Sequence, residues 1–283
     1  MSRTVVVTDS TAILPAIEVE GRSVQDVDVV ALDVVIDGQS HRDGIDITPR
    51  QLAAALRAKA TVSTSRPSSA ALLGVYRRLT EEGADGIVSI HVSGALSGTV
   101  DAARVAARET SIPVEVVDSG SIATGLGHAV ASAVAGAERG LELTEVAQVA
   151  RARAEQTSVL FYVDTLEYLR RGGRIGTGQA LLGTALAVKP LLALEHGAIE
   201  LVDRVRTTSR ALHRLEELAV ERAGGLPTDV AVHHLDNARR AQSTADRVGR
   251  RLGLRDPVPV VEVGAVLGAH AGPGLLGIVV SPR

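Results

Sequence analysis

The sequence predicts an α/β protein of two lobes. Short Val/Ile runs alternate with helical stretches through the first half, the pattern of a largely parallel sheet covered by helices. The rhythm changes near Gln156-Thr157. Beyond it, Leu191–Leu194 and Ile199–Val205 read as the arms of a hairpin turning at His196-Gly197, so a mixed or antiparallel sheet is expected there. The expected division is an N-terminal α/β lobe at 1–156 and a C-terminal α/β lobe at 157–283, with a ligand cleft between them.

In the first half, strands are expected at Thr4–Thr8, Val27–Ile36, Ile87–Val92 and Val114–Asp118, where β-branched residues concentrate. Helices are expected at Pro49–Lys59, Ala70–Glu82 and Thr99–Arg108. The first of these has explicit start chemistry: Thr48 caps, Pro49 takes the first helical position, and Gln51 sits where a capping-box partner belongs. Residues Ser121–Arg153 are Ala-rich and read as a helix pair broken at Gly136 and Gly140. In the second half, strands at Leu160–Asp164, Asp229–His234, Val258–Val263 and Leu275–Ser281 join the hairpin, with helices at Ser209–Arg222 and Asn237–Leu252. There is no internal repeat, low-complexity tract or long linker.

Composition removes several function classes. With 283 residues and 45% hydrophobic content the chain supports a real core, but only Tyr76, Phe161, Tyr162 and Tyr168 are aromatic, so that core is aliphatic. So few aromatic faces, with a net charge of −3, argue against base stacking and against electrostatic capture of nucleic acid. The absence of Cys excludes disulfides, thiolate catalysis and sulfur-ligated metals. Val5-Val6-Val7 gives way at once to Thr8-Asp9-Ser10, too short an apolar run for a signal core or a membrane span, so a cytoplasmic protein is expected.

Several short motifs carry polar chemistry. Ser93-Gly94-Ala95-Leu96-Ser97-Gly98-Thr99 lies between an expected strand and an expected helix, where hydroxyls and unpaired N–H groups can hold an anion or simply cap the helix. Its order is not that of a nucleophile elbow, and no His–Asp pair is recognisable as a triad partner. Asp9-Ser10-Thr11 stands at the carboxyl end of the first strand, where open α/β sheets bind ligands and where an Asp-capped turn would look the same. Thr64-Ser65-Arg66-Pro67-Ser68 pairs two hydroxyls with a proline and a helix-capping serine. Arg171-Gly172-Gly173-Arg174-Ile175-Gly176-Thr177-Gly178 is the densest glycine cluster, but it is neither a dinucleotide fingerprint nor a phosphate loop; Arg174 in it could grip a phosphate or carboxylate. His270-Ala271-Gly272-Pro273-Gly274 sets a group that titrates near neutral pH beside a rigid turn. His233 and His234 are adjacent on an expected strand, point to opposite faces and cannot chelate one metal together, and no metal site is expected.

Taken in order, these segments resemble the DegV family of bacterial fatty-acid-binding proteins, the acyl-carrying subunits of fatty acid kinase. The resemblance is carried by Thr8-Asp9-Ser10-Thr11-Ala12, Thr64-Ser65-Arg66-Pro67-Ser68, Val92 through Thr99, Val117-Asp118-Ser119, Tyr168 through Ile175, Lys189-Pro190, Val205-Arg206-Thr207 and His270 through Gly274. It implies a two-lobed DegV-like fold, a single family domain spanning 3–282. It also implies a long-chain fatty acid as ligand, with its tail in an apolar tunnel and its carboxylate near Thr64, Ser65, Ser93, Gly94, Ser97 and His270. Arg174 and Arg206 are implied to face the kinase partner or the phosphate being transferred. The chain departs from the family at Gly94, where a second serine is common, and at Arg66, where glutamine is common.

The function implied is therefore lipid binding without catalysis: presentation of the carboxylate to an ATP-dependent fatty acid kinase, and release of acyl phosphate for phospholipid synthesis. The partners are the fatty acid and that kinase, with no cofactor, no nucleic acid and no transmembrane segment, which leaves room for transient contact with a membrane. The alternative is a small-molecule phosphotransferase or other enzyme using His270 as general base. A second alternative is a structural or regulatory interaction module.

Overall fold

A computed structural model of the chain describes residues 3–15, 18–19, 22–23, 27–175 and 188–283. The chain forms two compact units, one of Met1–Asp33 with Ser65–Gln156 and the other of Val34–Thr64 with Thr157–Arg283. The division at 1–156 and 157–283 is thus corrected for one segment. Val34–Thr64 leaves the N-terminal half because its helix α1 (Pro49–Arg57) packs on α9 (Ala265–Ala271), while Asp43 Oδ1 accepts the Ala265 N–H at 2.8 Å. Local periodicity carries no trace of partners more than two hundred residues away.

The first unit is built on a sheet ordered β4 (Asp28–Val30), β1 (Thr4–Asp9), β8 (Gly86–His91), β9 (Val114–Asp118), with every neighbour parallel. Every residue of β8 is buried, as an uninterrupted run in the middle of a parallel sheet requires. Helices α4 (Ala123–Glu138) and α5 (Leu143–Gln156) join Val6, Val88 and Ile90 in one apolar cluster. Helices α2 (Ser69–Glu81) and α3 (Thr99–Ala107) join Val7 and Ile87 in another, and alternate side chains of β1 and β8 thereby feed the two faces. A short hairpin of β2 (Glu18–Val19) and β3 (Arg22–Ser23) precedes β4.

The second unit carries a six-stranded mixed sheet in the order β12 (Ala198–Val205), β11 (Lys189–Glu195), β10 (Ser158–Tyr162), β15 (Leu276–Pro282), β13 (Thr228–His234), β14 (Val260–Glu262). All neighbours are antiparallel except β13 and β14. Helices α7 (Thr208–Ala223) and α8 (Ala238–Leu252) pack their Ala and Leu faces on one side of it. The expected hairpin is present: Glu195 pairs with Ala198, and His196 and Gly197 both take positive φ (50° and 80°), the geometry of a two-residue turn matched to strand twist.

Other expectations change. The run Val27–Ile36 is two strands, β4 and β5 (Asp33–Ile36), in different sheets; β5 lies between β6 (Gln39–Arg42) and β7 (Val62–Ser65), neither of which the pattern announced. The turn between α4 and α5 uses Gly140 (φ 73°), whereas Gly136 lies inside α4, where a Cβ would come within 3.3 Å of Leu141 and Val149. That glycine serves close helix packing. Short helices α6 (Glu167–Arg171) and α9 end at glycines and were too brief to show a period.

Candidate functional site

Strand β7 alternates half-buried and exposed positions, so Val62 and Thr64 point to one face and Ser63 and Ser65 to the other. On the inner face Thr64 Oγ1 lies 2.8 Å from His270 Nε2, in the last turn of α9. Two glycines make that approach available. A Cβ on Gly172 would fall 2.2 Å from His270 Nδ1, and one on Gly272 would fall 2.2 Å from the Tyr168 ring. The Arg-Gly-Gly-Arg and His-Ala-Gly-Pro-Gly motifs therefore meet, each glycine leaving space that the other motif fills.

Around this contact lies a cavity of about 160 Å³ within the second unit, lined by Thr64, Tyr168, Arg171, Arg174, His270 and the apolar Leu56 among others. By volume it has room for a carboxylate and several waters. Burial, reinforced by the Arg174 guanidinium, pushes the His270 imidazole down to about 4. At neutral pH the ring is uncharged, and the positive charge of the cavity comes from arginine. Arg171 is partly engaged by Glu167 at 2.5 Å, and Arg174 donates to the Gly172 carbonyl.

The serine loop belongs to the first unit. Ser93 is buried, and its Oγ accepts the Ala95 N–H at 3.3 Å. Gly94 donates its N–H to Asp118 Oδ1 at 3.0 Å, and a Cβ there would lie 2.5 Å from Asp118 Oδ2, so the serine common at this position in the family would have to move that carboxylate. Its amide is thus already engaged. Ser97 Oγ lies 2.9 Å from Thr99 Oγ1, and neither hydroxyl caps α3, whose N-cap is Gly98. Ser65 is exposed and donates to the Arg66 carbonyl, while Arg66 Nη1 donates to the Gly98 carbonyl at 3.2 Å.

Thr64, His270 and Arg174 therefore come together, and Ser93, Gly94 and Ser97 share one loop. Ser65, although next to Thr64 in sequence, faces away from it. Arg206 is exposed just before Thr207, the N-cap of α7, and is not among the groups lining the cavity. Gly176, Thr177 and Gly178 of the glycine cluster lie outside the described residues.

A further polar chain escaped the sequence reading. Tyr76 donates to Ser89 Oγ at 2.7 Å; Ser89 Oγ lies 2.8 Å from His91 Nε2, and His91 Nδ1 lies 3.0 Å from Asp9 Oδ2. Asp9 also accepts the N–H of Val92 and both the N–H and hydroxyl of Thr11. Although burial pushes the Asp9 carboxyl up, these bonds and the neighbouring His91 hold it below its ordinary value. A His–Asp pair is therefore present, but it is joined to Ser89 of β8, whereas the sequence reading concerned a triad partner for the serine loop. The available signal was Ser89 and His91 two apart on one strand, hence on one face, beside a strand ending in Asp9. Among the described residues no group of three or more His, Asp or Glu is disposed to hold a metal ion, and no helix is long and apolar enough to cross a membrane.

A profile of the DegV family matches residues 3–283. A DegV domain-containing protein of Streptomyces coelicolor is 55% identical over 285 residues, covering 100% of both chains. One from Mycobacterium tuberculosis is 38% identical over 277 residues, covering 98% of this chain and 96% of its own. Among solved structures, a DegV family protein from Thermus thermophilus, described as binding fatty acid, superimposes with a TM-score of 0.86 at 35% identity, covering 99% of this chain and 100% of its own. The fatty-acid-binding DegV of Bacillus subtilis gives a TM-score of 0.87 at 28% identity, covering 100% of both chains. With the fold, the motif order and relatives of this identity in agreement, the chain belongs to the DegV family.

Proposed function

We propose that this chain binds a long-chain fatty acid and presents its carboxylate to an ATP-dependent fatty acid kinase, which converts it to acyl phosphate. The observation that carries the reading is the Thr64–His270 contact beside Arg174, in a cavity that Gly172 helps to line. An anionic head group can accept from the Thr64 hydroxyl and from an imidazole N–H while the guanidinium supplies charge. Relatives support the ligand class: proteins of this fold from Thermus thermophilus and Bacillus subtilis are fatty-acid binders, and one from Eubacterium ventriosum binds stearic acid.

The reading assigns head-group contacts to Thr64 and His270 and, from the first unit, to Ser65, Ser93 and Ser97; Gly94 contributes by yielding space to Asp118. Arg174 and Arg206 are assigned to the kinase or to the phosphate in transfer. Each buried methylene of the tail adds roughly 0.8 kcal/mol, so the tail dominates affinity and the head sets orientation. The chain then acts as a carrier and not as a catalyst. A histidine held near 4 is a weak base at neutral pH, which disfavours the phosphotransferase alternative.

Native mass spectrometry tests the proposal. Delipidated protein mixed with stearate should gain one acyl chain, and Thr64→Val and His270→Phe should each reduce occupancy. Ser65→Ala, Ser93→Ala and Ser97→Ala test the second set separately. Absence of any acyl adduct, across chain lengths, would overturn the reading, as would ATP turnover by the chain alone.

A further inference from the structure

The second unit has another cavity, of about 540 Å³, running between α7 and α8. The helices lie side by side, with Thr208, Ser209, His213 and Glu216 of α7 facing Arg239, Arg240 and Arg247 of α8. Its charge is one-sided. Glu216, only 2% exposed, accepts from Arg247 Nε at 2.8 Å and from its Nη2 at 2.7 Å, so that carboxylate is already neutralised in the floor.

The other acids of the surrounding elements are also engaged. Arg214 gathers Asp203, Glu217 and Glu221; Glu217 also faces His213 at 3.3 Å; Asp246 accepts from Gln242. Asp164, beyond Thr208, accepts from the buried Tyr162 hydroxyl and lies 3.7 Å from Lys189 Nζ. Arg239 and Arg240 form no ion pair with any described residue. They occupy the first turn of α8, where positive charge opposes the helix dipole, and neither helix has an acid in its first turn.

Two unneutralised guanidiniums over a third that is fixed, with hydroxyls from Thr208 and Ser209, form a lining that lacks its counter-charge. Tetrahedral oxyanions match such arginine forks bidentately. We infer that the α7–α8 groove is a binding site for a phosphate group, carried either by a small soluble phosphate or by the headgroup of an anionic lipid. It is distinct in residues from the Thr64–His270 cavity, and it goes beyond the fatty-acid reading without depending on it.

Isothermal titration calorimetry on the full chain tests it, with pyrophosphate and with phosphatidylglycerol or phosphatidylcholine vesicles as ligands. The variants are R239Q/R240Q and, as a charge-matched control at the far end of α8, R250Q/R251Q. Saturable pyrophosphate binding weakened at least about tenfold by the first pair and unchanged by the second is the expected result, since each charge-assisted bond is worth about that factor. The same pattern on phosphatidylglycerol vesicles, without pyrophosphate binding, assigns the phosphate to a lipid headgroup. The inference is overturned if neither ligand binds, if R239Q/R240Q leaves binding intact, or if both double variants weaken it equally. Fatty-acid content measured on the same preparations should be unaffected, so the failure of either proposal is visible without the other.

Discussion

Gly172→Ala isolates the steric logic of the candidate site. Gly172 has φ −73° and ψ −12°, a conformation open to any L-residue, so an alanine incurs no backbone strain there. Its methyl group would nevertheless sit 2.2 Å from His270 Nδ1 and 2.9 Å from Cε1, and the ring is held on its other side by Thr64 at 2.8 Å. Forcing the ring aside should cost about 1–3 kcal/mol, offset by about 0.4–1 kcal/mol from the stiffer unfolded chain. A net loss of about 1–2 kcal/mol in urea unfolding is expected, together with loss of bound fatty acid. Two controls make the argument specific. Gly173→Ala, at φ 70° with nothing within 4 Å, should cost about 1 kcal/mol through strain alone and leave ligand content unchanged. In a His270→Ala background the clash disappears, so Gly172→Ala should become neutral or mildly stabilising. An equal cost of Gly172→Ala in both backgrounds would refute the reasoning, because the coupling energy would then be zero.

Three further outcomes follow from the same structure. His270 titrates near 6.5 when unfolded and near 4 when folded, so the unfolded chain takes up the proton first: its contribution is complete above pH 6.5 and is lost between 6.5 and 4. That loss, up to about 3 kcal/mol between urea midpoints at pH 7.5 and 4, should be absent in His270→Gln; an equally pH-sensitive variant would assign the effect elsewhere. Asp9→Asn offers one acceptor oxygen where four donors converge, so its amide must face at least one pair of them, and chemical denaturation should register a loss of about 3–5 kcal/mol. Gly94→Ser must displace the Asp118 carboxylate that bonds the Gly94 and Gly120 amides, and should lower stability by about 1 kcal/mol with partial relief in Asp118→Ala.

What the sequence revealed and what it hid divide along the range of the interactions involved. The Thr48–Gln51 capping box, the Ser68 cap and the His196-Gly197 turn are contacts within four residues, and each stands where local chemistry puts it. The central strands declare themselves through short Val/Ile runs, although Ser89 and His91 interrupt the one that becomes the fully buried β8. By contrast, the transfer of Val34–Thr64 to the second unit depends on Asp43 reaching Ala265 and on Leu52 filling the space that Gly268 leaves. No window of residues contains that information. The site shows the same split: Thr64, Arg174 and His270 were each visible as motif members, but the reason for glycine at 172 and 272 is a side chain a hundred residues distant. The family resemblance gave Ser65 and Thr64 the same role, whereas strand alternation, a period-two rule, sends the two to opposite faces.

The Ser89–His91–Asp9 chain has the distances of a hydrolytic triad, yet its surroundings give it a different task. All three residues are 0% exposed, so no substrate reaches Ser89 Oγ, and that oxygen already accepts from Tyr76. The nearest loop amide, that of Val92, is spent on Asp9 and is not available to a developing oxyanion. The contacts form one continuous path from Tyr76 through Ser89 and His91 to Asp9, in which every polar group finds a partner. The chain ties α2, β8 and β1 together directly beneath the serine loop. Ser119 Oγ adds a bond to the His91 carbonyl, and the Ser121 carbonyl accepts the Ser93 N–H. The backbone on both sides of the end of β8 is thus pinned by buried polar groups, and Ser93 is presented by a rigid support. A loop whose glycines alone would leave it free takes its order from a carboxylate that keeps its charge only because four donors surround it.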